Sequence, residues 1–66
     1  MLTSIIGKNA GKIWQALNGK GALEINTIRK LVDLGDKKLY LALGWLAREG
    51  KIKFEQKQQQ ILIRLI

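Results

Sequence analysis

The 66-residue sequence contains no histidine, no cysteine and no proline. Without cysteine there is no disulfide framework, no thiolate zinc site and no iron–sulfur ligation. Without histidine, the usual general base and the commonest protein metal ligand are both missing. Acidic residues are few. Five Asp and Glu stand against twelve Lys and Arg, for a net charge of +7. The carboxylates of Glu24, Asp33, Asp36, Glu49 and Glu55 are scattered, and most have local explanations as helix-end or surface charges. Asp33 and Asp36 can approach one another at a turn, but they lack the further oxygen ligands a hard cation needs. The Gly7–Lys12 stretch superficially resembles a phosphate loop. Only three residues separate its glycines, however, and Ile13 stands where Ser or Thr would bind magnesium. Long apolar runs are absent too: nothing approaches the roughly 18 residues of a membrane span. The opening Met1-Leu2-Thr3-Ser4-Ile5-Ile6 has neither a basic start nor the apolar run of a signal peptide. These absences predict a cytoplasmic protein that is not an enzyme, carries no cofactor and has no membrane or small-molecule site evident in its sequence.

What is present is 47% hydrophobic and long enough for one domain, residues 1–66. A domain of this size buries only about 60% of its unfolded surface, which makes self-association a common route to stability. From Ser4 to Asn18 the pattern is helical, with Ile6, Ala10, Ile13, Trp14 and Leu17 on one face. Gly7 and Gly11, one turn apart, suggest close approach of another backbone, unless Gly7 merely precedes the helix. Asn18-Gly19-Lys20-Gly21 ends this helix, since Asn and Gly tolerate the left-handed conformation found at helix C-termini. Ala22-Leu23-Glu24 reads as a short extended connector. A second helix, about Ile25 to Asp33, presents Ile28, Leu31 and Val32, with Glu24 beside its positive end. Leu34-Gly35-Asp36 forms a tight joint, with Gly35 closing one helix and Asp36 capping the next.

A third helix, about Lys37 to Glu49, buries Leu39, Ala42, Leu43 and Leu46, and Gly50 ends it. The period then changes from 3.6 to 2. Lys51 to Gln56 alternates as a strand, Lys57 to Gln60 is a polar turn, and Ile61 to Ile66 is a second strand. The order of helix, connector, helix, tight turn, helix and hairpin is that of a winged helix-turn-helix: mainly α, with a C-terminal β-hairpin as wing.

The residues also carry a resemblance. Asn9 to Trp14, Leu17-Asn18 and the long segment Leu39 to Ile52 resemble the small stand-alone winged helix-turn-helix proteins of bacteria and archaea that lack an assigned function. The resemblance spans nearly the whole chain and implies the winged-helix fold. It transfers no catalytic or binding residues.

In such a fold the third helix enters the major groove and the wing approaches phosphates. Lys37, Lys38, Tyr40 and Arg48 on that helix, with Lys51, Lys53 and Lys57 on the hairpin, are therefore the candidate residues for double-stranded DNA, through backbone contacts. The alternative is an ordinary solvated basic surface, because lysines also occur on every other element. The outward face of the third helix centres on Leu41, Gly44 and Trp45, whereas base-reading helices offer Arg, Asn, Gln, Ser or Thr. That apolar centre suggests a protein contact anchored by Trp45, unless Trp45 packs under the wing or against the first helix. The last strand is apolar on both faces apart from Arg64, and a bare apolar edge requires cover. Leu41, Gly44, Trp45, Leu62 and Ile66 are therefore candidates for a homodimer or partner interface. The leading expectation is a dimeric DNA-binding regulator or accessory factor. The runner-up is a protein–protein interaction module that uses the Leu41/Trp45 face without nucleic acid.

Overall fold

Helix α1 (Leu2–Leu17) opens the computed structural model, which describes residues 2–66. Its buried stripe is Asn9, Ala10, Ile13 and Leu17, with Ile13 and Leu17 sealed from solvent. Trp14, expected on that face, is instead 39% exposed. It follows Ile13 by one 100° step and so falls on the rim of the stripe. Asn9 takes an inward position and is 6% exposed, a polar residue that a search for apolar periodicity passes over. The loop after α1 turns on Gly19 and Gly21, whose φ angles of 77° and 71° lie in the left-handed region that glycine reaches without strain.

The expected connector is a true strand. β1 (Leu23–Glu24) pairs antiparallel with the last strand, Leu23 opposite Ile63 and Glu24 opposite Leu62. Helix α2 (Ile25–Val32) starts at once, and the Glu24 carboxylate accepts a 3.1 Å bond from the Asn26 backbone N–H, satisfying one of the free donors at the helix start. The core side of α2 is Ile25, Ile28 and Val32. Leu31, expected in the core, lies on the flank and is 54% exposed. Asp33, not Gly35, closes the helix in the left-handed region at φ 52°, its N–H donating to the Arg29 carbonyl at 3.1 Å.

Helix α3 (Asp36–Arg48) follows after Leu34 and Gly35. Gly35 occupies the cap position without a side-chain bond, and Asp36 is the first helical residue rather than the cap. As expected, α3 buries Leu39, Ala42, Leu43 and Leu46. These meet Ile13, Leu17 and Ile28 in one core, closed on the sheet side by Ile52 and Ile63. Each such large side chain contributes about 1.5–3 kcal/mol by leaving water.

Gly50, at φ 71°, turns the chain into β2 (Ile52–Lys57), and β3 (Gln60–Leu65) returns beside it. The expected four-residue turn tightens to Gln58 and Gln59, because Lys57 and Gln60 already pair. The sheet order is β1-β3-β2. The C-terminal strand is thus the centre of the sheet, not a bare edge, which corrects the expectation of an uncovered apolar strand. Its two apolar faces follow from that position. Ile63 is sealed against the helices, and Leu62 on the other face is half-buried between Glu24 and Glu55. The hairpin beyond Ile52 projects into solvent and stretches the molecule to 36 × 22 × 19 Å. Its surface of 4776 Å² exceeds the roughly 4,200 Å² expected for a compact protein of this mass.

Candidate nucleic-acid interface

Helix α3 turns its apolar side inward, and helical spacing then dictates what it shows to water. Lys37, Leu41, Gly44 and Arg48 form one exposed line along its outer side. Lys38 and Trp45 lie on the flank toward α1, Tyr40 on the flank toward the hairpin. Trp45 is the main departure from expectation. It is half-buried, packs on the core and faces a cavity of about 270 Å³ shared with Gly7, Gly11 and Trp14 of α1. It therefore does not stand at the centre of the exposed face. The glycines of that cavity are not crowded either. A Cβ on Gly7 or Gly11 would meet nothing within 4 Å, so no backbone within the chain packs closely against them. The same holds for Gly44.

The helix-turn-helix is tied across its turn by Arg29 of α2. Its Nη2 donates to the Tyr40 hydroxyl at 2.8 Å, and its Nε lies 3.0 Å from Asp36 Oδ1. The Nε–H is buried and not aimed along that line, so the second contact is Coulombic rather than a formed hydrogen bond. With both partners substantially exposed, the pair contributes about 0–1 kcal/mol. Its role is geometric, fixing where Tyr40 stands on the outer surface of α3.

The cations named from sequence separate into groups. Lys37, Lys38 and Arg48 belong to α3, with Tyr40, 50% exposed, beside them. Lys51 sits at the joint between α3 and the hairpin, 3.7 Å from Glu49. Strand alternation places Lys53 and Lys57 on the sheet face turned away from the helices. There Lys53 neighbours Arg64 and the loop after α1, and Arg64 pairs with Glu55 at 3.2 Å. The candidate interface residues are divided likewise. Leu41 and Gly44 face outward from α3, whereas Leu62 is on the far face of the sheet and Ile66 lies exposed just past its end.

Two features escaped the sequence reading. One is the Arg29 tie, a contact between residues eleven positions apart that no local pattern announces. The other is an apolar cleft of about 510 Å³ between α3 and the hairpin, walled by Tyr40, Leu43, Phe54 and Ile61. Its signal was available: Phe54 and Ile61 are apolar strand positions beyond the reach of the core. Among the described residues no group of three or more Asp, Glu, His or Cys could hold a metal ion. None of the helices among them is long and apolar enough to cross a membrane.

Three helices, the second and third joined by a tight turn, with a two-stranded wing after the third and a short strand completing its sheet, define a winged helix-turn-helix domain. Residues 1–65 match the winged helix-turn-helix domain family DUF2582, and the chain belongs to that family. The solution NMR structure of protein BT2368 from Bacteroides thetaiotaomicron superposes with a TM-score of 0.87 at 42% identity, covering 98% of this chain and 79% of that one. The crystal structure of the transcriptional repressor BigR from Xylella fastidiosa shares the fold, with a TM-score of 0.77 at 19% identity over 97% of this chain and 69% of that one. No curated protein sequence matches the chain.

Proposed function

We propose that the protein binds double-stranded DNA through its phosphate backbone, as a dimeric regulator or accessory factor, with α3 as the element that approaches the duplex. The observation that carries this reading is the exposed outer line of α3, with Lys37 and Arg48 near its two ends and Lys38 alongside. Those cations attract phosphate, while Leu41 and Gly44 between them offer no hydrogen bonds to base edges. Binding is therefore strong in salt dependence and weak in sequence preference. Tyr40 supports it as a hydroxyl donor to phosphate, and Lys51, Lys53 and Lys57 add charge from the wing. BigR is described as a transcriptional repressor, and the shared fold is compatible with a related role here. Dimerisation draws on apolar side chains left in water, among them Leu2 and Ile5 on α1, Leu41 on α3 and Ile66 after β3.

The test is a titration with random-sequence duplex at several salt concentrations. Three phosphate contacts from α3 give a slope of log K against log salt of about −2.7, a fall of roughly 40-fold between 50 and 200 mM. No binding at low salt would overturn the reading. A second reading, a protein-interaction module, is favoured by one observation: Leu41 is 46% exposed in the middle of the α3 outer line. It gains if duplex binding is absent while Leu41→Ala abolishes self-association in sedimentation.

A further inference from the structure

The cleft between α3 and the hairpin has a composition that neither DNA contact nor folding requires. Phe54 and Ile61 continue the inward face of the hairpin past the last buried residue, and together with Ile25 and Leu43 they form apolar walls. Phe54 remains 48% exposed, a large aromatic surface held in water. Gly44 is the gap in the α3 wall. A Cβ there would meet nothing within 4 Å, so the chain's own packing does not demand glycine. Glycine in a helix interior is nonetheless costly, and its effect here is to keep the cleft open.

One end of the cleft is cationic. Arg29 lines it, with one Nη2 hydrogen given to Tyr40 and Nε 3.0 Å from Asp36 Oδ1. Nη1 takes part in neither of these contacts. A guanidinium carries five N–H donors in a planar fork, so donors beyond those two contacts remain for a carboxylate. At about 510 Å³, with apolar walls and a few converging polar groups, the cleft has the dimensions of a small-ligand site.

We infer that this cleft binds a small amphipathic carboxylate, its flat apolar body between Phe54, Ile61 and the Tyr40 ring and its carboxylate on Arg29. Asp36 competes for the same guanidinium, so the bound anion works against a resident negative charge. The inference does not depend on DNA binding, and its test uses no DNA.

The probe is 1-naphthoate, titrated into the isotope-labelled full chain and followed by backbone amide shifts. Saturable shifts centred on Gly44, Phe54 and Ile61 are expected, with a dissociation constant of about 1 mM from the usual per-atom efficiency of small ligands. 1-Naphthalenemethanol, with the same rings and no charge, should bind about fivefold more weakly, as should the Arg29→Met variant toward naphthoate. Asp36→Asn removes the competing anion and should tighten naphthoate binding about two- to fivefold. Gly44→Leu fills the gap with a better helix former and should keep the fold, as amide dispersion will show, while losing the shifts. Shifts spread evenly over the exposed apolar residues would overturn the inference. Equal affinity for the charged and neutral probes, or undiminished binding to folded Gly44→Leu, would do the same.

Discussion

Replacing Gly7, Gly11 and Gly44 together by alanine should make the protein more stable. All three lie within helices, at positions 7 and 11 of α1 and 44 of α3. None has a φ in the left-handed region, and a Cβ at each would find open space. The new methyl groups therefore gain nothing by packing and lose nothing by clashing. What changes is the freedom of the unfolded chain, and a compatible Gly→Ala exchange stabilises by about 0.4–1 kcal/mol. Three sites amount to about 1–3 kcal/mol. That is a large share of the roughly 3–10 kcal/mol typical of 66 residues. For a domain of this size each kcal/mol moves the midpoint by about 4–8 °C, so the triple variant should melt about 5–20 °C higher. Thermal unfolding by circular dichroism, repeated in urea at two protein concentrations, measures this directly. A lower midpoint at both concentrations would refute the reasoning, because the native monomer would then need these glycines. A midpoint that rises while its concentration dependence disappears would mean that a second copy approaches the bare backbone there.

Other expectations follow from single contacts. Lys37→Ala with Lys38→Ala should make the DNA salt slope shallower by about two if both touch phosphates, whereas an unchanged slope would place the contact surface elsewhere. Gln58, at φ 58° in the hairpin turn, occupies a conformation costing a side-chain residue about 1–2 kcal/mol. Gln58→Gly should therefore raise the urea midpoint modestly, and a decrease would show the turn to be unstrained. Ile63→Ala removes a sealed side chain from the central strand and should cost about 2–5 kcal/mol, leaving much of the protein unfolded at 37 °C. Asp36→Asn, which breaks an exposed pair, should shift stability by less than about 1 kcal/mol in the same assay.

The elements were legible in the sequence wherever period and punctuation agreed. The α3 stripe of Leu39, Ala42, Leu43 and Leu46 repeats so regularly that its buried side was unambiguous, and Gly50 marked its end. Leu31 and Trp14 misled because each is one residue step from a true core position. A short helix or a rim position does not average such errors away. Strand pairing was less accessible still. That β3 lies between its neighbours depends on two residues, Leu23 and Glu24, too few to show any alternation. The candidate cations were found by type, but their grouping depends on strand parity and hairpin direction. Trp45 needed the relative rotation of α1 and α3, which no single helical wheel contains.

Glu24 belongs to two elements at once. It is the last residue of β1, paired with Leu62, and also the cap of α2, whose first turn it binds through its own carboxylate. No linker separates the sheet from the helix-turn-helix, so there is no slack at the joint. A force on the hairpin tip is delivered along β3 to the start of α2 as it would be through a lever. The hairpin should therefore tumble in solution with the helices rather than apart from them.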